Sequence, residues 1–177
     1  MNKDLELVIL SLTLTAPICQ TVCAEVYFNE DQVVKSIFPK GTFVSQWIEL
    51  TPDQAKSIEQ TSGERVRDKK VRVWKDSSGN RVFIDRVVGK HDYITYAVGI
   101  DQAGKVKQIE VMEYRETYGQ DVRKVEWRDQ FAGKNPTDPL KINHDIKNIS
   151  GATLSSAHLT AGVRRILRTY ENLKDNS

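Results

Sequence analysis

Cysteine is almost missing from this chain of 177 residues: Cys19 and Cys23 are the only two, and both stand near the start. Past them the sequence offers no disulfide, no Cys-x-x-Cys-His haem attachment and no thiolate ligands for an iron–sulfur cluster. A redox role would therefore call for an organic cofactor. Charge of one sign is missing too, since 26 basic and 24 acidic side chains leave a net of +2. That gives no footprint for a phosphate backbone, and no nucleic acid is expected as a partner. Proline (5) and glycine (10) are too sparse for a collagen-like or linker chain, and a hydrophobic content of 39% is that of one globular domain.

Long apolar runs are the last absence. The uncharged stretch at residues 7–18 is about a dozen residues long, whereas a membrane-spanning helix needs roughly 20. Pro17 ends the run, and Val22-Cys23-Ala24 presents small residues in the pattern that a signal peptidase reads. Residues 1–24 are therefore read as a signal peptide, with export to the periplasm or another extracytoplasmic space and a mature chain opening at Glu25. The amino end departs from the usual pattern, because Lys3 is accompanied by Asp4 and Glu6. A lipoprotein signal is not expected, since Val22 precedes Cys23 and Ile18 precedes Cys19 where a small residue is needed.

What is present has a clear order. Asn29 with Gln32 forms a capping pattern ahead of Val33, Val34 and Ile37, and Pro39 stops it, which predicts a helix over 30–38. Thr51, Pro52 and Gln54 repeat the start signal and Gly63 the stop, predicting a second helix over 52–61. From Val71 the period becomes two: segments 71–74, 81–88, 94–100 and 105–114 alternate around the turn clusters 76–80 and 101–104, an antiparallel meander of about four strands. Val122, Trp127 and Phe131 suggest a helix ending at Gly133. Leu159, Val163, Ile166, Leu167 and Tyr170 then mark the apolar stripe of a last helix over about 155–173, with Arg164, Arg165 and Arg168 read as its solvated face. The fold class expected is α+β, a β-meander flanked by helices.

Ser150-Gly151-Ala152-Thr153-Leu154-Ser155-Ser156 stands directly before that last helix. Small residues let backbone approach a ligand, and the amides and positive dipole end of a helix attract an anion. On spacing alone, a serine- and threonine-rich cap without a ligand accounts for the same residues and is the simpler reading.

The stretch Ile149-Ser150-Gly151-Ala152-Thr153-Leu154-Ser155 resembles the Ser-Gly-Ala-Thr flavinylation motif of the FMN-binding domain family, which includes flavin-carrying subunits of sodium-pumping quinone reductases and Rnf-type complexes. Glu116-Thr117-Tyr118-Gly119 resembles its Glu-Thr-Pro-Gly turn, with Tyr118 in place of proline, and residues 127–134 resemble its Trp-x-x-Gln-Phe-x-Gly-Lys stretch. The resemblance implies covalent FMN, joined through its phosphate to Thr153. It also implies a cofactor site of Ser150, Gly151, Ala152, Leu154, Ser155, Glu116, Thr117, Tyr118, Gly119 and Trp127. Tyr118 and Trp127 would flank the ring, although Trp127 and Phe131 are equally core candidates. The motif commonly has an acidic residue where this chain has Lys147, with Asp145 two positions earlier, and that departure bears on recognition by the modifying enzyme.

Residues 1–24 are thus read as signal, 25–70 as an N-terminal helical segment, and 71–177 as the FMN-binding core that the resemblance implies. The resemblance also implies an electron carrier between a membrane-linked donor and an acceptor, loaded by a magnesium-dependent flavin transferase. Two alternatives stay open: a small stand-alone flavin reductase, for which Glu116 is the obvious acid or base, and a non-redox module that binds a phosphate-bearing ligand. Ser155 and His158 share a helical face but lack the other parts of a hydrolase site. His91 and His144 have no second ligand at metal spacing, and no metal is expected.

Overall fold

Two capping boxes begin the helical elements where the sequence asks for them. In a computed structural model, which describes residues 25–116 and 118–174, α1 is Glu30–Ile37. The Asn29 side chain accepts from the Gln32 N–H at 2.9 Å, and the Gln32 side chain accepts from the Asn29 N–H at 2.9 Å. α2 (Pro52–Ser62) repeats the arrangement with Thr51 and Gln54, and Gly63 ends it in a left-handed conformation. Such a cap stabilises by about 1 kcal/mol, enough to fix where a short helix starts. The expected signal segment, residues 1–24, and Thr117 lie outside the described residues.

The expected meander is present as β3 (Lys70–Lys75), β4 (Arg81–Val88), β5 (Tyr93–Ile100) and β6 (Val106–Tyr114). β1 (Glu25–Val26) pairs with β6 and β2 (Val44–Glu49) pairs with β3. The result is one six-stranded antiparallel sheet in the order β1-β6-β5-β4-β3-β2. β2 adds a strand that the sequence did not announce, between the two helices of the 25–70 segment. It is an edge strand with Val44 and Trp47 exposed and only Ile48 half-buried, so it carries no alternating pattern to read.

Both faces of the sheet are covered. α1 lays Val33, Val34 and Ile37 over Trp74, Val82, Ala97 and Met112. On the other face α4 (Thr153–Lys174) buries Leu159, Val163, Ile166, Leu167 and Tyr170 against Phe83, Tyr96, Val98 and Ile109. Burying such a side chain stabilises by roughly 1.5–3 kcal/mol, so these stripes fix which helix takes which face.

Three segments differ from expectation. α4 begins at Thr153, a turn's fraction earlier than the stripe predicts, which makes Thr153 its first residue. The helix expected around Trp127 is broken into 3-10 turns at Gln120–Arg123 and Asp129–Phe131 and a short α3 (Val125–Arg128), because Lys124 adopts extended backbone. Arg128 ties this segment to the sheet through a largely buried ion pair with Glu110 at 2.6 Å. Finally, Arg164, Arg165 and Arg168 are not a solvated face. Arg164 donates to the carbonyls of Ser62 (2.6 Å) and Leu140 (2.7 Å), Arg165 pairs with Asp85 (2.5 Å), and Arg168 pairs with Glu171 (3.1 Å). Two of these guanidinium groups therefore fasten α4 to its neighbours.

Candidate functional site

Thr153 opens the 22-residue α4 with its side chain exposed, and no acidic residue stands in that first turn. Among the described residues its hydroxyl has one side-chain hydrogen-bond partner, Asn148, whose Nδ2–H donates to Thr153 Oγ1 at 3.3 Å. The other end of the same amide accepts from Ser156 Oγ at 2.7 Å, so Asn148 is held from both sides. Gly151 precedes the helix at φ +82°, and a Cβ there would meet nothing within 4 Å. Ala152 is buried beneath this turn, whereas Ser150, Thr153 and Leu154 face outward. Asn148 was not among the expected site residues; its spacing five before Thr153 carries no recognisable pattern.

The Trp-x-x-Gln-Phe-x-Gly-Lys stretch acts as a clamp on the chain leading to Thr153. Trp127 Nε1–H donates to the Lys147 carbonyl at 2.8 Å, and Gln130 Oε1 accepts from the Lys147 N–H at 2.7 Å. Lys134 pairs with Asp145 at 3.0 Å, and the same carboxylate accepts from the Leu140 (3.1 Å) and Lys141 (2.7 Å) N–H groups. Burial opposes the Asp145 charge, but those N–H groups and the Lys134 ammonium outweigh it and hold its carboxyl below the ordinary range. Trp127 is a buried core residue, edge-on to Phe131 at 5.1 Å, rather than an exposed platform beside Thr153. Position 147 is held entirely by its backbone, and the Lys147 side chain is exposed.

The turn at 116–119 meets the same helix end. Tyr114 O–H donates to the Tyr118 carbonyl at 2.6 Å and lies 3.0 Å from Ser155 Oγ. Burial pushes the Tyr114 phenol up, so it stays a donor. Gly119, at φ +91°, fits beneath this pair: a Cβ would stand 2.6 Å from Tyr114 O–H and 3.1 Å from Ser155 Oγ. The Tyr118 ring is 81% exposed and is thus free to meet a ligand.

Glu116 is buried and accepts from the backbone N–H groups of His91 (2.5 Å) and Asp92 (3.0 Å). Burial opposes its charge, but the N–H groups of Asp92, His91 and Lys90 outweigh it and hold the carboxyl below its ordinary value. A carboxylate so engaged is not a proton donor at neutral pH, which removes the acid that a stand-alone reductase would need there. His158 Nδ1 bonds the Val88 carbonyl, and Ser155 contacts Tyr114, so these two do not form a nucleophile–base pair. Among the described residues no group of three or more His, Cys, Asp or Glu could hold a metal ion.

Two motif segments far apart in sequence therefore converge on one helix start, and that segment of the chain matches a known family model over residues 89–168. The model matched is that of the FMN-binding domain. The matched residues span β5, β6, α3 and most of α4, and they contain both converging segments. Over 84 residues the chain is 30% identical to a component of the Na(+)-translocating ferredoxin:NAD(+) oxidoreductase complex of Acetobacterium woodii. That match covers 42% of this chain and spans only 41% of the relative's length. The residues present fit FMN: an exposed hydroxyl on a helix start, open space above Gly151, and the exposed apolar groups Leu154 and Tyr118.

Proposed function

We propose that this chain is an exported flavin carrier in which FMN is held as a phosphoester on Thr153 and passes electrons between a membrane-linked donor and an acceptor protein. The observation that carries the reading is the exposed Thr153 at the start of α4, its hydroxyl contacted by Asn148, with Gly119 of the adjoining turn set against the neighbouring Ala152 and Ser155. The family match and the oxidoreductase-complex relative support the redox role. The short apolar run before Glu25 supports export.

The chain's own residues bind and orient. The first free N–H groups of α4 face the phosphate position with the positive end of the helix dipole, and Leu154 and Tyr118 offer apolar surface for a planar ring. Thr153 Oγ is the acceptor in loading by a flavin transferase. As it bonds to the phosphorus of the FMN half of FAD, the pyrophosphate bond breaks, AMP leaves and the hydroxyl proton is released. Once bound, FMN supplies reversible electron transfer at its isoalloxazine ring.

The test is the intact mass and visible spectrum of the protein purified from its own host, followed by tryptic mass spectrometry. The expected result is a yellow protein whose peptide 148–164 carries the mass of FMN less water, and a colourless Thr153→Ala variant. Covalent flavin retained in that variant places the attachment elsewhere, and a colourless wild-type protein rejects the carrier role.

A further inference from the structure

β3 and β4 part company early. They pair only over Val73–Lys75 with Arg81–Phe83, although β4 runs on to Val88. The space between them is a cleft of about 540 Å³. Arg165 spans it from α4, bonding the Asp85 carboxylate at 2.5 Å and the Arg86 carbonyl at 3.4 Å on β4, and the Arg65 carbonyl at 3.3 Å ahead of β3. The Val88 carbonyl is taken by His158 and the Arg86 carbonyl by Arg165, so these two acceptors of β4 are not open to an added strand. The volume of the cleft is within the range of roughly 300–1,000 Å³ usual for small-molecule sites.

Its lining states the chemistry. The acidic members are engaged: Glu30 by Arg72 at 2.5 Å, Asp85 by Arg165, and Asp68 by the Lys70 N–H at 2.9 Å. Arg72 and Arg165 are spent on those pairs, but three further cations are not: the side chains of Arg67 and Lys70 make no ion pair or hydrogen bond among the described residues, and Arg86 has only the Tyr93 ring, 5.3 Å away. Trp47 (66% exposed) and Tyr93 (46% exposed) offer aromatic surface at the mouth. Arg72 stiffens one wall, stacked between Trp47 at 5.6 Å and Trp74 at 4.7 Å.

We infer that this cleft binds a small planar aromatic molecule bearing one acidic group, its ring against Trp47 and Tyr93 and its anion among Arg67, Lys70 and Arg86. The site is separate from Thr153, because Arg165 lies 12 residues further along α4, about 18 Å at the helical rise. It stands whether or not flavin is attached at Thr153.

Calorimetric titration of the full chain with 2-naphthoate tests it, beside the neutral 2-naphthalenemethanol and the non-aromatic cyclohexanecarboxylate. Naphthoate binds at one site, and each comparison compound binds about tenfold more weakly, the loss expected for one charge-assisted contact or one stacked ring. The double variant Arg67→Gln/Arg86→Gln weakens naphthoate by at least about tenfold, and Trp47→Ala weakens it comparably. These side chains are exposed, and an unchanged thermal midpoint checks that the fold is intact. No saturable naphthoate binding, equal affinity for the neutral alcohol, or affinity unmoved by the variants overturns the proposal.

Discussion

Tyr114 and Ser155 share a buried hydroxyl pair at 3.0 Å, which ties the end of β6 to the first turn of α4. Because the Tyr114 hydrogen goes to the Tyr118 carbonyl, Ser155 is the donor to the phenol oxygen. Tyr114→Phe removes one group and leaves both partners without it. We expect a loss of about 1–3 kcal/mol, or roughly 2–4 °C of thermal midpoint for each kcal/mol. Ser155→Ala in the Phe background should add little, since the pair is already broken. Additive losses in the double variant would show that the two hydroxyls act separately.

Gly119 stands under the same pair with a backbone that disfavours any side chain. Gly119→Ala meets two costs at once, a positive φ and a Cβ 2.6 Å from the Tyr114 oxygen. The expected destabilisation is about 2 kcal/mol or more, by the usual cost of a left-handed alanine plus the displaced hydrogen bond. Flavin loading should fall with it, because the 118–119 turn can no longer seat against α4. A variant as stable as wild type in urea unfolding would contradict this.

The sequence made the periodic parts of the fold legible and left the tertiary-dependent parts obscure. Both capping boxes and the four-strand meander could be read because caps act within three residues and a half-buried strand alternates. β2 could not, since a solvated edge strand such as Val44–Glu49 owes its shape to the ladder with β3 alone. Likewise Arg164 and Arg165 look like surface residues on a helical wheel; what engages them, the Ser62 carbonyl and Asp85, is contributed by distant elements. At the site, the resemblance of Ser150-Gly151-Ala152-Thr153 to a family motif, and not the small residues by themselves, pointed to Thr153. The partners of Thr153 were hidden, because Asn148 contacts it only through the fold of the 140–152 segment that Trp127, Gln130 and Lys134 hold in place.

That contact gives a prediction for Asn148→Ala. Ser156 Oγ keeps the carbonyls of Ala152 (2.9 Å) and Thr153 (3.1 Å) after the change, so the thermal midpoint should hardly move. The Thr153 hydroxyl, in contrast, loses the one side chain that contacts it among the described residues. Labelling by a flavin transferase should slow by about 2- to 10-fold, the equivalent of one ordinary hydrogen bond. In-gel flavin fluorescence over time reads the rate, and labelling at the wild-type rate would deny Asn148 an orienting role.

Glu116 predicts a pH dependence of definite sign. Its folded-state carboxyl is held below the ordinary value of 4.5, so in the unfolded chain it binds a proton more readily. The stability it contributes is therefore fully present above about 4.5 and is lost as pH falls through the lower folded-state value. Glu116→Gln puts an amide where a charged acceptor meets the N–H groups of His91 and Asp92, which frees the β4–β5 turn beside the site. The variant should be less stable than wild type at pH 7, and the gap should narrow in acid as the wild-type carboxylate is neutralised. Chemical denaturation of both proteins across pH 3 to 7 measures it. A gap that stays constant over that range would mean that the charge on Glu116 contributes nothing, and that packing alone holds the turn.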